Sequence, residues 1–153
     1  MTIARFIALW THPDSPPLPV AVEALAEAER RLGLTLPDQY REAALAFGLP
    51  RPTIALLDTI VDWELDVRDV HDFLDPGAIV ETTEAWHELG LPEDWVAFAT
   101  DCMGNLFCFA ADQVALGRAA APVLFFDHDE GIVDTVAPDF DRWIEEFCSL
   151  AAH

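Results

Sequence analysis

The stretch from Pro122 to Phe147 constrains this chain most, because it places a strand, a turn, a second strand and a capped helix in immediate succession. Val123 to Phe126 is apolar on both faces, the pattern of a central strand covered on both sides. Asp127-His128-Asp129-Glu130-Gly131 is polar and ends in glycine, which takes positive φ at little cost. Ile132 to Val136 predicts the returning strand, and Pro138 stops it for want of an N–H. Asp139 suits a helix N-cap, and Phe140, Trp143, Ile144, Phe147, Leu150 and Ala151 then recur at helical spacing. A hairpin with a helix docked on it is a core-forming unit.

A second hairpin precedes the first. Trp95–Thr100 and Leu106–Ala110 read as strands joined by the loop Asp101–Asn105. Earlier still, Val22, Leu25, Ala28 and Leu32 mark one face of a helix that begins near Val20 and stops at Gly33. Pro37 opens a second helix, with Tyr40, Ala43, Ala44 and Phe47 inward and Gly48 as its stop. The short loop between the two predicts that they pack together. A third helix spans Ala78–Leu89, with Ile79, Thr83 and Trp86 inward and Gly90 beyond it. Gln113–Ala121 is a connection with room for a helical turn or two. Val61, Trp63, Leu65 and Val67 alternate with Asp62, Glu64 and Asp66, which predicts a half-buried strand with an acidic outer face. Ile3–Trp10 reads as either a first strand or a loose arm, and Thr11–Pro19 carries four prolines. The expectation is one α+β domain: a lead-in arm over residues 1–19, and a core over 20–153 with an antiparallel meander in its C-terminal half and flanking helices.

Charge narrows the function. There are 28 acidic residues against 8 basic ones, a formal net charge of −20, and every basic residue is arginine. Binding to nucleic acid or an anionic membrane needs basic side chains at the phosphates, so neither partner is expected. A basic protein partner is favoured, because the field steers it inward; a bland alternative is that the charge serves solubility alone. The chain is 52% hydrophobic, enough for a folded core. Three cysteines suggest no disulfide framework, and Cys102, Cys108 and Cys148 read as buried thiols of a cytoplasmic protein. The short run Ile3–Trp10, interrupted by Arg5, is neither a signal peptide nor a membrane span.

In a meander the two hairpin loops lie at the same end of the sheet. Asp101 and Asn105 then approach Asp127, His128, Asp129 and Glu130, a set that could bind a divalent cation or run acid–base chemistry. The same residue types are also what turns require, and the spacing is not that of a calcium loop. Cys102 beside Asp101, with His128 expected near, is the one Cys/His pairing worth naming for nucleophilic chemistry. No cofactor is expected: the seven glycines are scattered singly and form no phosphate loop.

Four ordered stretches carry a resemblance. They are Leu-Gly-x-x-Leu-Pro-x-x-Tyr (Leu32, Gly33, Leu36, Pro37, Tyr40), Trp-Val-Ala-Phe-Ala-x-Asp-x-x-Gly-Asn-Leu-Phe-Cys-Phe (Trp95 to Phe109, with Gly104 and Asn105), Pro-Val-x-Phe-Phe-Asp-His-Asp (Pro122 to Asp129) and Ala-Pro-x-Phe-x-x-Trp-Ile (Ala137 to Ile144, with Trp143). The set resembles the SUKH superfamily, which contains the yeast cell-wall-synthesis regulator and many bacterial immunity proteins. Members often carry Asn-Gly where this chain has Phe47-Gly48, and a serine cap where it has Asp139. The middle stretch, Arg51 to Glu81, matches poorly.

The resemblance implies a mixed α+β fold and a protein-binding role, with no shared catalytic set. Gly104, Asn105, Asp127 and Trp143 are then fold determinants. The expected function is that of an immunity protein that neutralises a cognate toxin, such as a basic nuclease, by binding it. A regulatory adaptor is the alternative, and a metal-assisted enzyme using the loop carboxylates and His128 a further one. The candidate contact residues are Asp62, Glu64 and Asp66 on the acidic strand and Asp101, Asp127, Asp129 and Glu130 on the loops. The oligomeric state is left open.

Overall fold

A computed structural model describes residues 2–116 and 119–152. The strands are β1 (Asp72–Phe73), β2 (Trp95–Thr100), β3 (Leu106–Ala110), β4 (Val123–Phe126) and β5 (Val133–Ala137). They form one antiparallel sheet in the order β1-β2-β3-β4-β5, a meander as expected. The helices are α1 (Thr2–Trp10), α2 (Val22–Leu32), α3 (Asp38–Ala46), α4 (Ile54–Asp62), α5 (Pro76–His87), α6 (Ala111–Leu116) and α7 (Phe140–Ser149), followed by a 3-10 turn at Leu150–Ala152. The fold is α+β.

The sheet is covered on both faces, which is why β3 and β4 are buried throughout. On one face α7 inserts Trp143 between Phe107, at 4.8 Å, and Phe98, at 5.4 Å. Phe140 meets Tyr40 of α3 there at 5.5 Å. On the other face Trp86 of α5 packs on Phe126 at 6.2 Å. Buried Thr83, also on α5, accepts a 3.0 Å hydrogen bond from the Ala97 N–H beside a β-bulge between Ala97 and Ala99. Asp139 caps α7 as predicted, accepting from Arg142 N–H at 2.8 Å. Asp75 does the same for α5 through Ala78 N–H, with Pro76 in the first turn.

Three sequence expectations are corrected. Residues 2–10 form neither strand nor arm. They make helix α1, which buries Ile3, Phe6 and Trp10 against α7. Trp10 Nε1 donates to the Phe147 carbonyl at 2.9 Å, and Thr53 N–H donates to the Trp10 carbonyl at 2.6 Å. The helix pair α2 and α3 is held by an ion pair between Glu29 and Arg41, and Leu36 N–H donates to Glu29 at 2.8 Å. Yet the main packing partner of α2 is α5, and that of α3 is α7.

The third correction is the acidic strand. Asp62 is the last residue of α4, and Glu64 sits in the turn that closes that helix. Glu64 N–H donates to the Val61 carbonyl and Leu65 N–H to the Ile60 carbonyl. Leu65 then packs on the cluster that contains Ile60. This is a Schellman ending, and it requires a left-handed residue at Glu64, whose φ is 51°. Helix α2 ends with the same two bonds around Gly33, at φ 68°. From Leu65 to His71 the chain is an irregular strap. Leu65 and Val67 face the core, and the Arg68 guanidinium lies 4.1 Å from the Phe125 ring centre. The period-two signal is therefore real over Leu65–Val67, but no ladder forms there.

Candidate functional site

The two hairpin loops do meet at one end of the sheet. Asp101 closes the first of them on itself. Its Oδ1 accepts from Met103 N–H at 2.9 Å and Asn105 N–H at 2.8 Å, and its Oδ2 from Asn105 Nδ2 at 3.0 Å. Gly104, at φ 83°, makes the turn possible. Asp127 does the same for the second loop, accepting from Asp129 N–H at 2.9 Å and Glu130 N–H at 3.2 Å. Gly131 N–H closes that loop on the Asp127 carbonyl at 2.8 Å.

Asn105 and His128 join the loops. Asn105 Oδ1 accepts from His128 N–H at 3.1 Å and lies 2.6 Å from His128 Nδ1. Because the Asn105 amide nitrogen is already turned toward Asp101, its oxygen can only accept, which places the imidazole proton on Nδ1. The ring packs at a tilt against Trp86, with centroids 5.4 Å apart, and its Nε2 lies 3.3 Å from Asp129 Oδ1. The chain Asp101–Asn105–His128 is thus a brace between hairpins.

Cys102, expected to be buried, is exposed. Its N–H and thiol both turn to Asp69, at 3.0 and 3.3 Å. Desolvation first, then the hydrogen bond and the charges of Asp69 and Asp101, push the thiol up to about 11. A thiol so raised is protonated at neutral pH and is a poor nucleophile. Cys108 is buried, and burial pushes its thiol up strongly. Among the described residues, no group of three or more His, Cys, Asp or Glu side chains is arranged to hold a metal ion. The carboxylates of Asp101 and Asp127 are occupied by turn N–H groups, which leaves Asp129 and Glu130 as the exposed acids of the loops.

Asp62, Glu64 and Asp66 lie elsewhere, on the end of α4 and the start of the strap, and all three are exposed. The strap links the two regions, since Asp69 near its far end holds the Cys102 backbone. Two acids escaped the sequence reading. Asp69 is 33 residues from its partner and sits in no pattern. Asp58 lies on α4, where the expectation was a strand farther on, and an i, i+4 reading of Asp58 and Asp62 is the signal that would have paired them.

No helix among the described residues is long and apolar enough to cross a membrane. A search of the curated proteins finds no match for the chain. The model of one family does match, over residues 19–146, which takes in both hairpins, their loops and most of α7. With the motif residues Leu36, Tyr40, Asn105, Asp127 and Trp143 set in the core and the loop brace just described, the chain belongs to the SMI1 / KNR4 family (SUKH-1).

Proposed function

We propose that this protein is a binding module that neutralises a toxin with a basic surface, such as a nuclease domain, by occupying that surface. The observation that carries the reading is uncompensated charge. The net charge is −20, with 28 acidic residues against 8 arginines, so the arginines can relieve only a minority of the acids. Arg5, Arg30, Arg31, Arg41, Arg68 and Arg142 are each already paired with a carboxylate of the chain itself. The remaining carboxylates present a field that draws in a cationic partner and repels phosphate. A protein built to hold nucleic acid carries the complementary surface. A standard specific complex buries about 1,600 Å² in total, well within the reach of a chain of this size.

The test is capture with tagged protein from cells that make it, washed at low and at high salt, with bound proteins identified by mass spectrometry. The expected result is one stoichiometric basic protein, weakened by salt, whose purified activity is lost on adding one equivalent of this chain. A captured housekeeping or signalling protein whose activity is regulated rather than blocked would replace this reading with the adaptor one.

A further inference from the structure

Exposed large apolar side chains are scattered singly over most of this molecule, as on any soluble protein. Leu18, Leu89 and Leu116 are of that kind. The segment Ile54–Trp63 differs. Within ten residues it exposes Ile54 at 69%, Val61 at 62% and Trp63 at 60%. Ile54 and Val61 are seven apart and so lie above one another on α4, and half-buried Leu57 adjoins them. The opposite side of the helix, with Leu56 and Ile60, is the one the core uses. Helix α4 is therefore apolar beyond what the fold covers, and the surplus forms a strip.

That strip has an acidic border. Asp58 and Asp62 run along one flank of α4, and Glu64 and Asp66 follow its end. Among the described residues none of these four carboxylates forms an ion pair, in contrast to Asp134 with Arg68 and Glu145 with Arg5. Beside the strip a shallow groove is lined by Ile54, Leu57, Asp69, Val70 and His71. An apolar centre with a charged rim is the anatomy of a protein interface, and contiguous exposed apolar surface on a monomer marks such sites.

We infer that the α4 strip is the docking surface for a basic protein partner, which seats apolar side chains on Ile54, Leu57 and Val61 while its Arg or Lys side chains meet Asp58, Asp62, Glu64 and Asp66. This rests on the reading of a basic partner above and assigns its place. Charge decides the occupant. A second copy of this chain would set acid against acid around the strip and bring together two bodies of net charge −20. A cationic partner gains from the same rim. The acidic hairpin loops become secondary, since Asp101 and Asp127 are spent on their own turns.

The experiment uses two fluorescent probes of equal charge, a Lys/Leu amphipathic helical peptide and an oligolysine, titrated with the purified protein at two salt concentrations. The parent protein is expected to bind the amphipathic peptide more tightly. Ile54→Ser with Val61→Ser should weaken that complex about tenfold, to the level of oligolysine. Asp58→Asn with Asp62→Asn should weaken both probes and flatten the salt dependence, and it keeps the test open should the serine pair unfold. Asp129→Asn with Glu130→Gln should change neither. Equal binding by the parent and the α4 variants, or a loss confined to the loop variant, would overturn the assignment while leaving the basic-partner reading in place. A dimer in sedimentation that Ile54→Ser with Val61→Ser abolishes would give the strip to a second copy and also overturn it. Failure of the parent to bind either cation would fell the basic-partner reading itself, and this assignment with it.

Discussion

Tyr40 is the one described side chain whose buried polar atom lacks a hydrogen-bond partner. Its ring earns the position through contacts with Phe98 and Phe140 at 5.6 and 5.5 Å. Its hydroxyl is pushed far up by burial and then by the charge of Asp75, so it stays neutral. A buried unsatisfied hydroxyl costs about 1–3 kcal/mol. Tyr40→Phe keeps the ring and removes the cost, so denaturant melts should show unchanged or higher stability, by about 1 kcal/mol. Glu146 makes a second case. Desolvation raises its carboxyl above the ordinary range, so the folded state holds the proton more tightly than the unfolded one. Its contribution to stability is present below the unfolded pKa and is lost as pH rises through the folded pKa. Glu146→Gln should therefore melt higher than the parent at neutral pH, with the gain shrinking toward zero as the solution is acidified through the carboxylate range.

Helices here are decided as much by their ends as by their faces. Gly33 announced the end of α2, whereas Glu64 ends α4 in the same left-handed conformation with nothing in the sequence to announce it. A left-handed L-residue costs about 1–2 kcal/mol, part of which glycine gives back through its freer unfolded chain. Glu64→Gly should thus raise stability by about 0.5–1 kcal/mol in chemical denaturation. Helix α1 is the other element that patterning missed. Its run is too short to show a helical period clearly, and its apolar face has meaning only against α7. Phe6, fully buried, touches Phe73 and Phe147 at 5.8 and 6.0 Å. Phe6→Ala should cost about 3–5 kcal/mol, where the same change in a loose arm would leave the melting curve unmoved.

Across the molecule as a whole, self-repulsion is the term that charge adds. Raising salt from about 10 mM to 0.15 M shortens the Debye length from about 30 Å to 8 Å. With a net charge of −20, screening of like charges outweighs weakening of the few surface ion pairs, each worth little. The melting temperature should rise over that range by several degrees in scanning calorimetry; a fall would mean that the arginine pairs dominate. The same imbalance makes any complex with a cationic protein salt-sensitive, which ties the stability experiment to the binding one.

The meander, both hairpin loops, the cap at Asp139 and the inward faces of α3, α5 and α7 were legible in the residues. Each depends on interactions within a short window: a turn N–H reaching Asp101 or Asp127, a cap two or three residues away, a period of two or 3.6 along one segment. The candidate loops were legible for the same reason, as was their meeting, since two consecutive hairpins of a meander must turn at the same end. The strap's Asp69, the exposure of Cys102, the docking of α1 and the uncovered strip of α4 were not. They depend on which distant surface arrives to cover a face, as when Trp10 finds the Phe147 carbonyl 137 residues away. An apolar side chain looks the same in sequence whether the fold buries it, as with Leu56 and Ile60, or leaves it at the surface, as with Ile54 and Val61. Local chemistry chose the elements, and only their packing decided which of their faces stayed open.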